Sequence, residues 1–177
     1  MKISSQEEYG LRCLLRLAKA EENGQTLTIH EIAAGEGLSA PYVAKLLGVM
    51  RHGGIIESER GRAGGYRLAA SLTDIRLGAV LMILGEPLFD EPGYCERHKG
   101  SETEGTCVHH GGCNLRAVWL TLENWMRRAL DQITLADLLR GEQHIAELLR
   151  ARLLEPAREL APWPAARHSL SVVTDGG

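Results

Sequence analysis

The chain has 177 residues, of which 44% are apolar and 24% are charged, and this composition excludes disordered and collagen-like proteins. Its longest strongly apolar stretch, Leu77–Leu84, is much shorter than the roughly 20 residues of a membrane-spanning helix, and its first residues lack a signal-peptide core, so we expect a cytoplasmic protein. The net charge of −3 is unevenly distributed, because residues 39–67 hold five Lys or Arg against two Asp or Glu, a local excess typical of a DNA-reading element.

The first part of the sequence predicts two helices in succession. Apolar residues recur at helical spacing over about 6–20, which favours a first helix. Thr28 followed by Glu31 forms a capping-box pattern, which predicts the start of a second helix over 29–35.

A third predicted helix carries the candidate DNA contacts. Ser39 is expected to cap this helix, which runs to about Arg51, and Pro41 suits its first turn because a missing N–H costs nothing there. Two helices joined by a short glycine-containing turn form a helix-turn-helix, which presents the N-terminal half of its second helix to base edges. We therefore predict DNA contacts from the residues exposed in that half: Ser39, Ala40, Pro41, Tyr42 and Lys45.

A hairpin with a glycine-rich turn follows directly. Strands are predicted over 55–60 and 66–68, with a further short strand over 26–28. A hairpin in this position is a wing, and Arg60 and Arg62 flank its turn, from which an arginine can enter a minor groove. Each of these residues alone is more often a solvated side chain, so it is their order along the chain that favours DNA binding.

The second half of the sequence predicts helices on either side of an aperiodic segment. A helix capped by Thr73 or Asp74 ends at Leu84. Residues 86–113 show no periodicity, so we expect a long loop, which in a compact domain is usually functional. A strong apolar stripe then predicts a long helix over about 114–132, and a second subunit is one candidate to cover it.

These features together resemble the Rrf-type winged helix-turn-helix regulators, which include IscR/NsrR-like iron–sulfur sensors. The resemblance covers about residues 1–140 and rests on three cysteines before the long helix and on these segments: Ile3-Ser4, Tyr9–Arg12, Ile32-Ala33, Leu38-Ser39, Tyr42-Val43, Leu46, Gly61-Arg62 and Gly64–Leu68. It implies a mainly α fold with a small β-hairpin, in which a winged helix-turn-helix domain precedes a long dimerisation helix. It also implies a homodimer on a palindromic double-stranded DNA operator, with an iron–sulfur cluster near the dimer interface.

The expected organisation has four parts. Residues 1–85 form the DNA-binding domain and 86–113 the cysteine-bearing loop. Residues 114–140 hold the dimerisation helix and a short helix over 135–139. Residues 141–177 form a C-terminal extension that is partly flexible.

Three of the four cysteines, Cys95, Cys107 and Cys113, lie in one short segment. In a protein without a signal peptide, this grouping indicates a metal or redox site rather than a secreted disulfide framework. Cys13 lies in the apolar stripe of the first helix and is expected to be a buried, inert thiol. Iron–sulfur clusters usually take four ligands, so three thiolates leave one place for a weaker, non-cysteine ligand.

The resemblance implies two kinds of fourth ligand. One kind is a histidine three residues after the third cysteine, but that position here holds Arg116. The other kind is an acidic residue in the first helix of the partner subunit, and the matching residue here is Glu8. His109 and His110, between the second and third cysteines, stay as alternatives because imidazole is an established iron ligand.

The cysteine spacing, C-x11-C-x5-C, is similar to that of redox-responding members with widened gaps, which favours [2Fe–2S] over [4Fe–4S]. We expect a regulator whose cluster senses redox state, nitric oxide or cluster status and modulates operator binding. Two alternatives use the same cysteines: a zinc site, although the usual knuckle of two closely spaced cysteines is missing, and a switch in which Cys107 and Cys113 form a disulfide. An enzyme is not expected, because the glycine motif of the hairpin precedes a strand rather than a helix and no nucleophile lies in a catalytic pattern.

Overall fold

The computed structural model describes residues 3–59, 61, 64–85, 91–100, 107–109 and 111–154. These residues form a mostly helical fold with one two-stranded antiparallel sheet, as predicted. The elements in chain order are α1 (Ser5–Glu21), α2 (Ile29–Glu36), α3 (Ala40–His52), β1 (Ile56–Glu59), β2 (Gly65–Leu68), α4 (Leu77–Leu84), α5 (Glu91–Arg97), α6 (Asn114–Leu130), α7 (Leu135–Leu139) and α8 (Glu142–Leu154).

Local side-chain chemistry sets the ends of the first two helices. The Ser4 hydroxyl accepts the Glu7 N–H at 3.2 Å, and the Glu7 carboxylate accepts the Ser4 N–H at 2.8 Å, so a capping box begins α1. The predicted capping box of Thr28 and Glu31 begins α2. Gly37 ends α2 with a φ of +67°, a conformation that favours glycine, and the chain then turns directly into α3.

One apolar core holds α1, α2, α3, α4 and the hairpin together. The inner face of α3 is fully buried against α1, which leaves the opposite face of α3 outward. The largest fully buried side chains among the described residues are Leu14, Leu17, Ile32, Leu46, Leu47, Met50, Ile56, Leu84, Leu135 of α7, Val43, Val80 and Cys13. Burial of this kind stabilises a fold by about 1.5–3 kcal/mol per large aliphatic side chain, so the core fixes the orientation of the helix-turn-helix.

The wing is a short antiparallel ladder. Its register runs from the pair Ile56 and Leu68 to the pair Glu59 and Gly65. The predicted strand over 26–28 is present as a single bridge between Leu27 and Tyr66, which exchange hydrogen bonds of 3.1 and 2.8 Å. The hairpin is therefore tied to the segment just before α2.

The predicted start of α4 is wrong. Neither Thr73 nor Asp74 caps the helix, which begins at Leu77 with Arg76 as its N-cap. The chain before it is held extended, because the Leu77 N–H donates to the Ile133 carbonyl and the Leu135 N–H to the Ile75 carbonyl, both at 2.9 Å. This pairing with a segment more than 50 residues away leaves no signal in the local sequence.

The expectation of a loop throughout 86–113 is also wrong, because α5 lies within it. A helix of seven residues makes fewer than two turns, which is too short to show a periodic pattern, and Pro92 suits its first turn.

Ser39 occupies the predicted N-cap of α3, but its side chain makes no capping hydrogen bond.

The helices predicted after Asn114 are confirmed, with α6 ending at Leu130, two residues before the predicted end. In the part of the chain that the structure describes, no helix combines the length and apolar character needed to cross a membrane.

Candidate nucleic-acid interface and cysteine site

Helix α3 presents the predicted DNA contacts on its outer face. Ser39, Pro41 and Lys45 are exposed, while Ala40 and Tyr42 are half-buried at the edge of the core. The free N–H groups of the first turn of α3 lie at the same end. The sequence therefore places small polar, aromatic and basic side chains together on the helix end that a winged-helix protein offers to DNA.

A groove of about 630 Å³ separates this end of α3 from the wing. The beginning of α2 closes its third side through Thr28 and His30. On the wing, Arg67 pairs with Glu57 at 2.5 Å and with Glu59 at 2.8 Å, so its charge is neutralised within the hairpin. The two wing arginines predicted to contact DNA, Arg60 and Arg62, lie outside the described residues.

Helix α1 contacts the helix-turn-helix on both sides of its turn. The ring of Tyr9 meets the ring of Tyr42 edge to face, with 6.1 Å between centroids and 83° between planes. The guanidinium groups of Arg12 and Arg16 bond to the Glu36 carboxylate at 2.9 and 2.6 Å. Partial burial raises the pKa of Glu36, but the hydrogen bonds and charges of Arg16 and Arg12 outweigh it, so the pKa lies below its usual value.

The four cysteines have two different environments, as predicted. Cys13 is fully buried, and burial, reinforced by the charge of Glu36, raises the pKa of its thiol to about 11. The other three, Cys95, Cys107 and Cys113, are free and partly exposed. Cys13 is therefore the structural cysteine, and the other three are the accessible ones.

The three accessible cysteines lie in the segment of the chain that precedes α6. Cys95 lies in α5, and Cys107 precedes a turn that contains the exposed His109. Cys113 is the N-cap of α6, where its sulfur accepts the Arg116 N–H at 3.4 Å. His110 lies outside the described residues.

The donor types fit an iron–sulfur cluster, because thiolates are the ligands that such clusters mainly use. One chain does not bring these donors together: among the described residues, no three His, Cys, Asp or Glu side chains are grouped closely enough to hold one metal ion. Glu8, the predicted partner-supplied ligand, is exposed on α1, far along the sequence from the cysteines. It lines a cleft of about 830 Å³ between α1, α4 and α6.

Comparison with known proteins identifies the family of this chain. The sequence profile of the Rrf2 family, described as "Iron-dependent Transcriptional regulator", matches residues 3–141. The chain belongs to the Rrf2 family. It is 37% identical over 153 residues to the HTH-type transcriptional regulator NsrR of Geobacillus kaustophilus, a match that covers 86% of this chain and 99% of that protein.

Solved structures agree with the family assignment. IscR of T. potens superimposes with a TM-score of 0.60 at 29% identity, over 79% of this chain and 87% of that one. CymR, the global cysteine regulator of B. subtilis, gives 0.59 at 28% identity, over 78% and 95%. The protein is therefore an Rrf2-type, winged-helix transcriptional regulator that binds DNA, not an enzyme.

Two features of this Rrf2 chain were not anticipated from its sequence. His98 lies one helical turn after Cys95, and its Nδ1 is 2.8 Å from the Tyr94 carbonyl oxygen. The C-x2-H spacing is the sequence signal that could have identified this histidine. Glu123 on α6 is only 5% exposed and pairs with Arg127 at 2.5 Å, while its Oε2 has no hydrogen-bond partner among the described residues. Glutamate is rarely buried in proteins, so the sequence gives no sign that this side chain will be.

Proposed function

We propose that this Rrf2 protein is a homodimeric, cytoplasmic regulator in which an iron–sulfur cluster sets the affinity for a palindromic operator. The single observation that carries the proposal is the contrast among the thiols. Three free, partly exposed cysteines precede α6 along the chain, whereas the fourth is fully buried with a raised pKa. Cys95, Cys107 and Cys113 are the proposed cluster ligands.

The exposed apolar face of α6 supports the homodimer. Five large side chains that recur at helical spacing are between 42% and 63% exposed, although such side chains are normally buried: Leu115, Val118, Trp119, Leu122 and Trp125. Exposed patches of this kind mark interaction surfaces. A second copy of α6 would cover this face and carry two winged helices, which matches the two half-sites of a palindrome.

Glu8 of the partner subunit is the proposed fourth ligand. Its carboxylate is exposed and lines the cleft next to α6, so it is available to a neighbouring chain. His109 is the alternative within the described residues, and His110 stays a second one. With a carboxylate as the weak ligand, the bound cluster, proposed as [2Fe–2S], supplies a group that reacts to redox state or nitric oxide.

The chain couples the cysteine segment to the DNA-binding domain through α4 and α6. These helices flank the segment, and they approach so closely that a Cβ at Gly78 would clash with Asp131. The Arg76 guanidinium also donates to the Asp131 carbonyl at 3.3 Å. In this proposal, reordering of the cysteine segment would move α4, whose Ile83 side chain packs against Gly53 at the end of α3, and would change the spacing of the two winged helices.

An anaerobic absorption spectrum tests this proposal, with iron and sulfide counted per chain. We expect charge-transfer bands with iron in the wild type and loss of iron in Cys95→Ser, Cys107→Ser and Cys113→Ser. Glu8→Ala is expected to shift the bands, whereas Glu22→Ala, at the exposed far end of α1, is the matched control and leaves them unchanged. A wild type that takes up no iron on anaerobic reconstitution would overturn the proposal.

A disulfide switch at the same cysteines is the second candidate function. The free, partly exposed state of Cys107 and Cys113 favours it, as does the likeness to CymR, which has been solved in an oxidized form from Staphylococcus aureus. Its test is quantification of free thiols in aerobic, metal-free protein. Loss of two thiols per chain that is reversed by a reductant, in protein without iron, would support this switch over the cluster; a zinc site would show as bound zinc instead.

A further inference from the structure

The exposed face of the wing carries one arginine between two glutamates. In the register of the hairpin, Glu57 stands directly opposite Arg67, and Glu59 lies two residues further along β1 on the same face. The guanidinium of Arg67 reaches both carboxylates, since its Nη2 is 2.5 Å from Glu57 and its Nε is 2.8 Å from Glu59. These three side chains, the wing triad, therefore hold one positive charge against two negative charges.

The ion pairs of the wing triad are weak. All three side chains are between 42% and 47% exposed, and ion pairs at such positions contribute little to stability. The Nε of Arg67 also has no hydrogen-bond partner among the described residues, so its pair with Glu59 lacks good alignment. A better-placed acceptor can therefore take the guanidinium from the glutamates at small cost.

The wing triad lies beside the path of the DNA backbone. When α3 lies in a major groove and the wing turn in the adjacent minor groove, the strand that separates these grooves crosses the space between α3 and the wing. Glu59 lines that space, together with Ser58 and Gly65 of the hairpin. A phosphate there meets a carboxylate that repels it and the guanidinium that this carboxylate holds.

We propose that Arg67 is a further DNA-binding residue, which Glu57 and Glu59 hold until the wing is seated on the duplex. The guanidinium then exchanges a carboxylate for a phosphate oxygen, since its planar fork of donors suits both groups. Before this exchange, the surplus negative charge of the wing triad repels any duplex. The wing triad thus lowers the affinity for duplexes on which the wing does not seat. The exchange concerns DNA binding itself and needs no cluster.

The test compares a duplex selected from a random library with the wild-type protein and a scrambled duplex of the same composition. Fluorescence anisotropy gives the dissociation constants of full-length variants with equal iron content. We expect Arg67→Met to weaken binding of the selected duplex by about 5-fold and to leave the scrambled duplex within about 2-fold, because only the seated wing releases the guanidinium. The double variant Glu57→Gln with Glu59→Gln is expected to bind the scrambled duplex about 5-fold more tightly.

A third substitution separates release of the guanidinium from loss of repulsion alone. In the double glutamine variant, Arg67→Met is expected to abolish the gain for the scrambled duplex and to reduce the slope of log Kd against log salt by about 0.9, the value of one phosphate contact. Arg67→Lys in the same background keeps a cation and is expected to keep most of the gain. Glu142→Gln with Glu147→Gln, which removes two exposed carboxylates from α8, is the control and is expected to change neither constant.

Two results would overturn the inference. One is a gain in affinity that persists when Arg67→Met is added to the double glutamine variant, because such a gain comes from loss of repulsion alone. The other is an effect of Arg67→Met by itself that is equal for the two duplexes. All variants are compared at the same iron content, so the result is independent of whether the proposed cluster is present.

Discussion

Single residues of the same type take different roles here because their surroundings differ. Cys13 is packed among apolar side chains next to the Glu36 carboxylate, and both features disfavour its thiolate. Cys95, Cys107 and Cys113 are partly exposed, so solvent and reagents reach them. The sequence separates the two groups correctly, because helical periodicity identifies Cys13 and spacing identifies the others.

The first prediction concerns alkylation of these thiols. In native, cluster-free protein at pH 8, iodoacetamide is expected to modify Cys95, Cys107 and Cys113 but not Cys13, since a thiol with a pKa of about 11 is roughly one-thousandth ionised at that pH. Peptide mass spectrometry measures the modification of each site. Denatured protein is the control, in which all four react; modification of Cys13 at the rate of the others in native protein would contradict the account.

At the scale of elements, helix ends follow local chemistry where a cap is present. The capping boxes of α1, α2 and α7 each join a side chain to a residue three positions on, and that of α2 was predicted from its sequence spacing. The start of α4 depends instead on hydrogen bonds to residues 133–135, and α5 is too short for periodicity. Local patterns therefore predict most helices, whereas ends that are fixed by distant backbone pairing need the structure.

The second prediction concerns the capping box of α7. Hydrogen bonds from Thr134 stabilise the charged form of Asp137 and lower its pKa to about 2 from 3.8. The stabilisation is therefore complete above about pH 4 and is lost as the pH falls towards 2. We expect Asp137→Asn to lower the free energy of unfolding by about 1 kcal/mol at pH 7 and by much less at pH 2.

Urea unfolding at matched protein concentration, at both pH values, provides the measurement. Glu147→Gln is the control, because it removes one exposed carboxylate from the neighbouring helix α8 without touching the capping box. An equal loss of stability at pH 7 and pH 2 in Asp137→Asn would show that the charge of Asp137 does not contribute to the stabilisation by the capping box.

At the scale of the whole molecule, the proposed dimer would cover a face that one chain leaves exposed. The DNA-binding domain has a closed core, but α6 carries an uncovered apolar face, and the accessible cysteines are not gathered with other donors among the described residues. The sequence predicts the ligand types from their spacing. It does not predict how they converge, because convergence depends on groups from distant segments and, in our proposal, from a second chain.

The third prediction concerns this apolar face. Trp125 is 54% exposed on α6, so Trp125→Glu introduces a charge at the proposed dimer interface. We expect the particle mass to fall from twice 19.4 kDa to 19.4 kDa, because burial of an unpaired carboxylate opposes association. Light scattering coupled to size-exclusion chromatography measures the mass.

Ala117→Glu is the matched control for this variant. It introduces the same charge at an exposed position of α6 on the side away from the apolar face, and the dimer is expected to persist. A wild-type protein that is monomeric at micromolar concentration would contradict the proposed dimer, as would dissociation of both variants to the same degree.

In the proposed function, the cysteine site sets the affinity for DNA. The most direct measurement uses one DNA duplex that has been selected from a random library with the wild-type protein. Its dissociation constants are compared, without oxygen and at fixed salt, for cluster-loaded wild type and for Cys107→Ser. Cys13→Ala is the control. Since coupling between two sites is usually between about 5- and 150-fold, we predict at least a 5-fold difference between wild type and Cys107→Ser and none for Cys13→Ala. Equal affinities of the loaded wild type and Cys107→Ser would contradict the account.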